Sequence, residues 1–158
     1  MKGCKHRPGL PQIYDEACRM AIPFHGHLGP YLVFGLKMGF LAREELKLES
    51  HFHVYVEAGS GRKTPFSCMA DGLQISCGAT LGKGNIRLAE IPEGSSVYAK
   101  VEGKEKALHI KLTKAALEFC RDINSWQEAE QAGEELGHWT FEKLFHWEEC
   151  EKFWGVSK

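Results

Sequence analysis

Two histidines separated by a single glycine, His25 and His27, stand just before an apolar segment in the run Phe24-His25-Gly26-His27-Leu28-Gly29-Pro30. Imidazole is the commonest protein ligand for mid-to-late first-row metals, and Gly26 frees the backbone to bend so that both rings can face one point. Taken by itself the triplet favours a plainer reading, a tight turn with two exposed, hydrogen-bonded histidines. A second group follows at Cys68-Met69-Ala70-Asp71. On a helix, Cys68, Asp71, Gly72 and Ile75 share a face. In the first turn of a helix the dipole favours a thiolate, which is a metal ligand or a nucleophile; taken alone, Cys68 reads as a small packing group.

Two further stretches invite chemistry and resist it. Gly78-Ala79-Thr80-Leu81-Gly82-Lys83-Gly84-Asn85 has a superficial likeness to a phosphate loop. Three residues rather than four separate its first glycine from the Gly-Lys pair, and Gly84 stands where Ser or Thr is required. What remains is a backbone-rich loop whose Lys83 could neutralise an anionic ligand. In the C-terminal stretch, His138 and His146 are two helical turns apart, too far to share an ion on one helix. The aromatic residues around them, through Trp154, read as packing or a subunit contact.

The elements that must position these groups follow from periodicity. Gln12 to Ala21 has helical spacing, and Pro23 is expected to close that helix. Pro30 suits the first turn of a second helix reaching about Leu46, apolar on all sides in its first part and carrying Gly35 and Gly39 on one face. That face is expected to pack closely on another helix, of this chain or of a second subunit. His51 to Ala58 alternates as a strand. Thr64-Pro65 opens a helix to about Cys77, ended by Gly78. Ile86–Ile91, Ser96–Glu102 and Ala107–Leu112 read as strands of an antiparallel meander. Thr113 caps a helix through Ile123, and Ser125-Trp126-Gln127-Glu128 has the form of a capping box opening a long C-terminal helix. The order predicts an α+β fold with a mixed, mostly antiparallel sheet and helices packed on it.

The 158 residues, 43% of them hydrophobic, suit one domain, with residues 1–11 as a loose arm and 125–158 as a helical extension. Lys and Arg number 20 against 21 Asp and Glu, which gives no general attraction to nucleic acid or to an anionic membrane. No apolar run approaches the roughly 20 residues of a membrane span, and the N-terminus lacks the form of a secretory signal. A soluble, cytoplasmic protein is expected. Six cysteines without a CxxC pair argue against ribbon-type zinc modules. Cys4 and Cys18 could pair, but nothing in the sequence forces it.

Taken together, Phe24-His25-Gly26-His27 with Pro30, and Cys68 with Asp71, Gln74, Gly78, Thr80, Gly82, Lys83, Gly84 and Asn85, resemble the core domain of the FmdE family of formylmethanofuran dehydrogenase proteins over about residues 12–120. The resemblance implies a homodimer with a shared site region and a bound divalent metal ion, zinc being the usual candidate. The enzyme that gives the family its name reduces carbon dioxide onto methanofuran at a molybdenum or tungsten centre, so the resemblance also implies one-carbon metabolism and a larger oxidoreductase complex as partner. This chain departs from the family at Gly29 and Ala79, where many members have cysteine, and lacks the C-terminal zinc finger of some. A His25, His27 and Cys68 ligand set remains, which suits zinc with an open fourth position.

Three functions compete. In a metal-dependent enzyme, Asp71 is a base or orients a ligand from behind, Lys83 anchors an anion, and Tyr31 points its hydroxyl inward. In a non-catalytic subunit or metal carrier, a fourth protein ligand such as His53 closes the site. In a small-molecule-binding dimer without a metal role, the histidines, the glycine-bearing helix and the Gly-Lys-Gly loop shape a pocket.

Overall fold

Glycines decide how the core is assembled. The computed structural model of the chain describes residues 9–155; most of the expected N-terminal arm, with Cys4, lies outside them. Helix α1 (Tyr14–His25) leads into α2 (Pro30–Leu46), which buries Leu32, Val33, Phe34, Leu36 and Met38 completely. Helix α3 (Met69–Cys77) lies against α2 almost backbone to backbone. A Cβ at Gly35 would fall 2.0 Å from the Met69 carbonyl oxygen, and one at Gly72 would fall 2.3 Å from that of Leu32. The Ser76 side chain fills the space over Gly39, and its hydroxyl donates to the Gly72 carbonyl at 2.8 Å. The glycine face of α2 thus finds its partner in α3 of the same chain. Each glycine gives up about 1 kcal/mol of helix propensity for that approach.

Helix α1 does not stop at Pro23. It runs to His25 and ends at Gly26, whose φ of 109° and N–H bond to the Ile22 carbonyl (2.7 Å) form a left-handed cap. Pro23 and Arg19 are both exposed, so the Arg19 carbonyl that loses its helical donor has water instead. The consequence is functional: His25 sits on a rigid last turn and His27 just beyond the cap.

The sheet covers the other side of α2. Strands β1 (Tyr55–Gly59), β2 (Ile86–Ala89), β3 (Tyr98–Glu102), β4 (Ala107–Leu112) and β5 (Phe145–Cys150) lie in the order β2-β1-β3-β4-β5. Only β1 and β2 are parallel; the other pairs are antiparallel. The α+β class and the mixed, mostly antiparallel sheet are as the sequence implies, but the meander is not. With α3 between β1 and β2, the second strand returns parallel to the first, and β3 takes the opposite edge of β1. Registers such as Val56↔Val101 and Ala99↔Ile110 put Val56, Ala58, Ala99, Val101, Leu108 and Ile110 on the core face.

The C-terminal stretch is not one long helix. Helix α4 (Lys114–Phe119), capped by the Thr113 hydroxyl, stops short of Ile123. Helix α5 (Trp126–Gly137) begins with the Ser125 hydroxyl accepting from the Glu128 N–H at 3.2 Å. After the single turn α6 (Phe141–Leu144), residues 145–150 pair with β4 as an edge strand. Phe145 and Trp147 stand two apart, the strand period, and pack inward opposite Leu112 and Ile110. Phe153 and Trp154 then donate their N–H groups to the buried carboxylate of Glu102, at 2.7 and 2.8 Å. Among the described residues, no helix is long and apolar enough to cross a membrane.

Gly72→Ala is expected to lower unfolding free energy in urea by on the order of 3 kcal/mol, because backbone atoms must separate. Gly82→Ala, with nothing within 4 Å of its would-be Cβ, should stay within about 0.5 kcal/mol of the parent.

Candidate functional site

A cleft of about 1040 Å³ opens between three segments: the turn joining α1 to α2, residues 64–68 ahead of α3, and residues 117–129 spanning the end of α4 and the start of α5. His25, His27, Cys68 and Tyr31 all lie on its wall. Two contacts hold α5 in place over the histidine turn. A Cβ at Gly133 would fall 2.2 Å from the Leu28 carbonyl oxygen, so the helix rides on that backbone. From α2, the Lys37 ammonium donates to the Gly137 and Trp139 carbonyls at 2.8 and 2.7 Å, at the end of α5 where the dipole favours a cation. Trp126, at the other end of α5, meets the His27 ring edge-on with centroids 4.5 Å apart.

His25 is the most constrained of the site residues. Its Nδ1 lies 2.7 Å from Oδ2 of Asp71, and its side chain is 11% exposed. Asp71 is itself held, accepting from the Gln74 side-chain amide at 3.3 Å. A carboxylate only accepts, so in the neutral ring the hydrogen is on Nδ1 and the lone pair on Nε2. That Nε2 is buried and has no partner among the described residues. An unsatisfied buried polar atom costs about 1–3 kcal/mol. Metal-bound histidines have this same arrangement, with a carboxylate behind the ring and a free lone pair in front.

His27 lies beside it, ring centroids 5.1 Å apart and tilted by 33°. Burial and the neighbouring His25 hold its pKa below the usual histidine value, against an opposing pull from Glu130. Its ring occupies the space over Gly29, where a Cβ would come within 2.8 Å of His27 Nε2. The position at which many relatives of the resembled family carry cysteine is here covered by an imidazole.

Cys68 stands at the start of α3. It occupies the N-cap position of α3, preceded by a 3-10 turn over Phe66–Cys68. Burial, and then the charge of Asp71, push its pKa above the ordinary thiol value. In the absence of a bound cation that direction favours the thiol, the packing state that Cys68 taken alone suggests. Tyr31 packs edge-on against Phe34 and Phe66 (5.5 and 5.1 Å), and burial lifts its hydroxyl to about 12.

Lys83 and His53 are elsewhere. The Lys83 ammonium donates to the carbonyls of Gly78 and, at 2.7 Å, His51. It caps the end of α3 instead of facing an anion in the cleft. The rest of that loop is likewise a fastener: Asn85 accepts from the Thr80 N–H at 2.8 Å and donates to the Val54 carbonyl at 3.0 Å. His53, at φ 59°, lines a separate, smaller concavity with Phe52 and Gly103. Among the described residues, no three His, Cys, Asp or Glu side chains are gathered closely enough to hold a metal ion as they stand; His25, His27 and Cys68 line one cleft.

Sequence reasoning misses the opposite wall, formed by Leu117, Cys120, Arg121, Ile123 and Trp126. The early stop of α4 creates it, and the pattern that reads as helix through Ile123 hides it. A family model described as "FmdE, Molybdenum formylmethanofuran dehydrogenase operon" matches residues 24–153, a span that includes every residue of both walls. No curated protein matches the chain.

The Asp71–His25 pair predicts one ring tautomer. Nitrogen-15 NMR of the metal-free protein is expected to show His25 protonated at Nδ1 in the neutral form. Asp71→Ala should release it to the mixture seen for a solvated imidazole. An Nε2-protonated His25 in the parent protein would contradict the assignment.

Proposed function

This chain belongs to the FmdE family, and we propose that it binds one divalent metal ion, zinc first, through His25, His27 and Cys68. The observation that supports this most is the buried, unpartnered Nε2 of His25 behind which Asp71 fixes the ring. Two imidazoles and a thiol are a donor set that zinc accepts, with the fourth position left for water or a ligand. His27 and Cys68 line the same cleft as His25, and in this reading they close on the ion from there. Cys68 would give up its proton on binding, which its raised pKa makes a metal-coupled event. When bound, the ion would supply Lewis-acid polarisation and an acidified water. The chain's own contributions are the ligands, the orientation of His25 by Asp71, and the apolar wall of Tyr31 and Phe66 that limits water. In this reading Asp71 is occupied with His25, and a positioning role replaces that of general base.

At the level of the cell, the reading extends to an accessory role beside a molybdenum or tungsten oxidoreductase of one-carbon metabolism, supported by the family's description. A homodimer in the cytoplasm fits the same reading. Ile13, at the start of α1, and Met20 and Phe24 on it leave exposed apolar side chains for a second copy. A non-catalytic metal carrier is the alternative that the same ligands allow.

The test is metal content. Chelator-stripped protein titrated with zinc and assayed by elemental analysis is expected to retain one zinc per chain. His25→Ala and Cys68→Ser should abolish stoichiometric uptake, and Asp71→Asn should weaken it about 10- to 100-fold. Undiminished zinc in His25→Ala would refute the assignment.

A further inference from the structure

The cleft wall carries a single permanent charge. Arg121 is ionised in any protein environment, and no aspartate or glutamate lines the cleft with it. Its guanidinium makes no ion pair and no hydrogen bond among the described residues. Two acids close to Arg121 in the chain have partners of their own. Glu118 faces Lys114 at 3.6 Å, and Glu128 accepts from the Asn124 N–H at 2.7 Å. Asp122 follows Arg121 in the chain but does not line the wall.

Around this charge the wall is aromatic. Trp126 is 71% exposed and Phe66 41% exposed, both into or beside the cleft, with Tyr31 between the histidine turn and Phe66. Large apolar side chains left open around a concavity mark a binding surface. The volume, about 1040 Å³, stands at the upper end of the roughly 300–1,000 Å³ usual for small-molecule sites. A planar guanidinium pairs best with a carboxylate or phosphate, through two parallel hydrogen bonds.

We propose that the cleft takes an organic anion: a flat or apolar body held among Trp126, Phe66 and Tyr31, bearing one carboxylate or phosphate that Arg121 binds. Arg121 thus fills the anion-anchoring role that the sequence assigns to Lys83. The anchor stands on the cleft alone. That the ligand's far end reaches the ion at His25 and Cys68 rests on the metal reading above.

Calorimetric titration of chelator-stripped protein with 2-naphthoate, 2-naphthyl phosphate and the neutral 2-naphthamide tests it. At least one anion is expected to bind about tenfold or more tighter than the amide. Arg121→Gln should weaken the anions roughly 10- to 100-fold, the scale of a charge-assisted hydrogen-bonded pair, and leave the amide unchanged. Arg121→Lys should recover part of the loss. Trp126→Ala should weaken all three probes alike. The ratio of the two anions identifies the group the site prefers. Equal binding of anion and amide, no effect of Arg121→Gln, or no binding by any probe would overturn the proposal. Repeating the titrations on zinc-loaded protein separates the two readings. Failure of zinc uptake leaves the Arg121 result intact, and zinc uptake with an indifferent Arg121 defeats the anion anchor alone.

Discussion

Asp71 reaches His25 because the residue after it, Gly72, lies directly against the backbone of α2. A side chain at Gly72 or Gly35 would push α3 outward, and the carboxylate would move with it. The site therefore depends on a packing constraint in the core rather than on any strong local bond. The energetic cost is carried by glycines inside helices, each worth about 1 kcal/mol of lost propensity. What this secures is a ring held from behind by a carboxylate, with its second nitrogen buried and free. A solvated histidine leaves both nitrogens to water; here Asp71 takes one and the described residues offer no partner to the other.

A second layer of support comes from α5. Gly133 lets that helix settle on the Leu28 carbonyl, and Lys37 holds its far end. Burial lowers the Lys37 pKa, and the two carbonyls it meets at the helix end offset part of that cost by accepting from its ammonium. The helix start then delivers Trp126 to His27, and the preceding turn delivers Arg121 and Ile123 to the cleft. The histidine wall and the apolar, cationic wall are thus built from different segments, which touch where Trp126 meets His27 and where Gly133 rides on the Leu28 carbonyl. In the proposed reading one serves an ion and the other the body of a charged organic ligand.

Much of this is legible in the sequence where local rules and tertiary context agree. Pro30 at a helix start, the all-round apolar run after it, Gly78 as a left-handed helix end, and the Ser125 cap all appear where their chemistry requires. The grouping of His25, His27 and Cys68 on one cleft is likewise readable from two separated motifs. The failures have specific causes. Pro23 reads as the end of α1, but both it and Arg19 are exposed, so water replaces the lost donor. Residues 145–150 read as helix because Glu148, Glu149 and mixed aromatic spacing obscure the two-residue period of Phe145 and Trp147. Lys83 reads as free because no local pattern shows that the Gly78 and His51 carbonyls converge on it. Arg121 is invisible for the converse reason: its role arises from a helix that stops early.

In the proposed function His25 Nε2 is held free for a metal ion. Anomalous scattering at the zinc edge, from crystals of zinc-loaded protein, tests it most directly. One peak is expected in the cleft, about 2.0–2.1 Å from His25 Nε2 and about 2.3 Å from the Cys68 sulfur. A cleft without a zinc peak, or a peak whose ligands exclude His25, would contradict it.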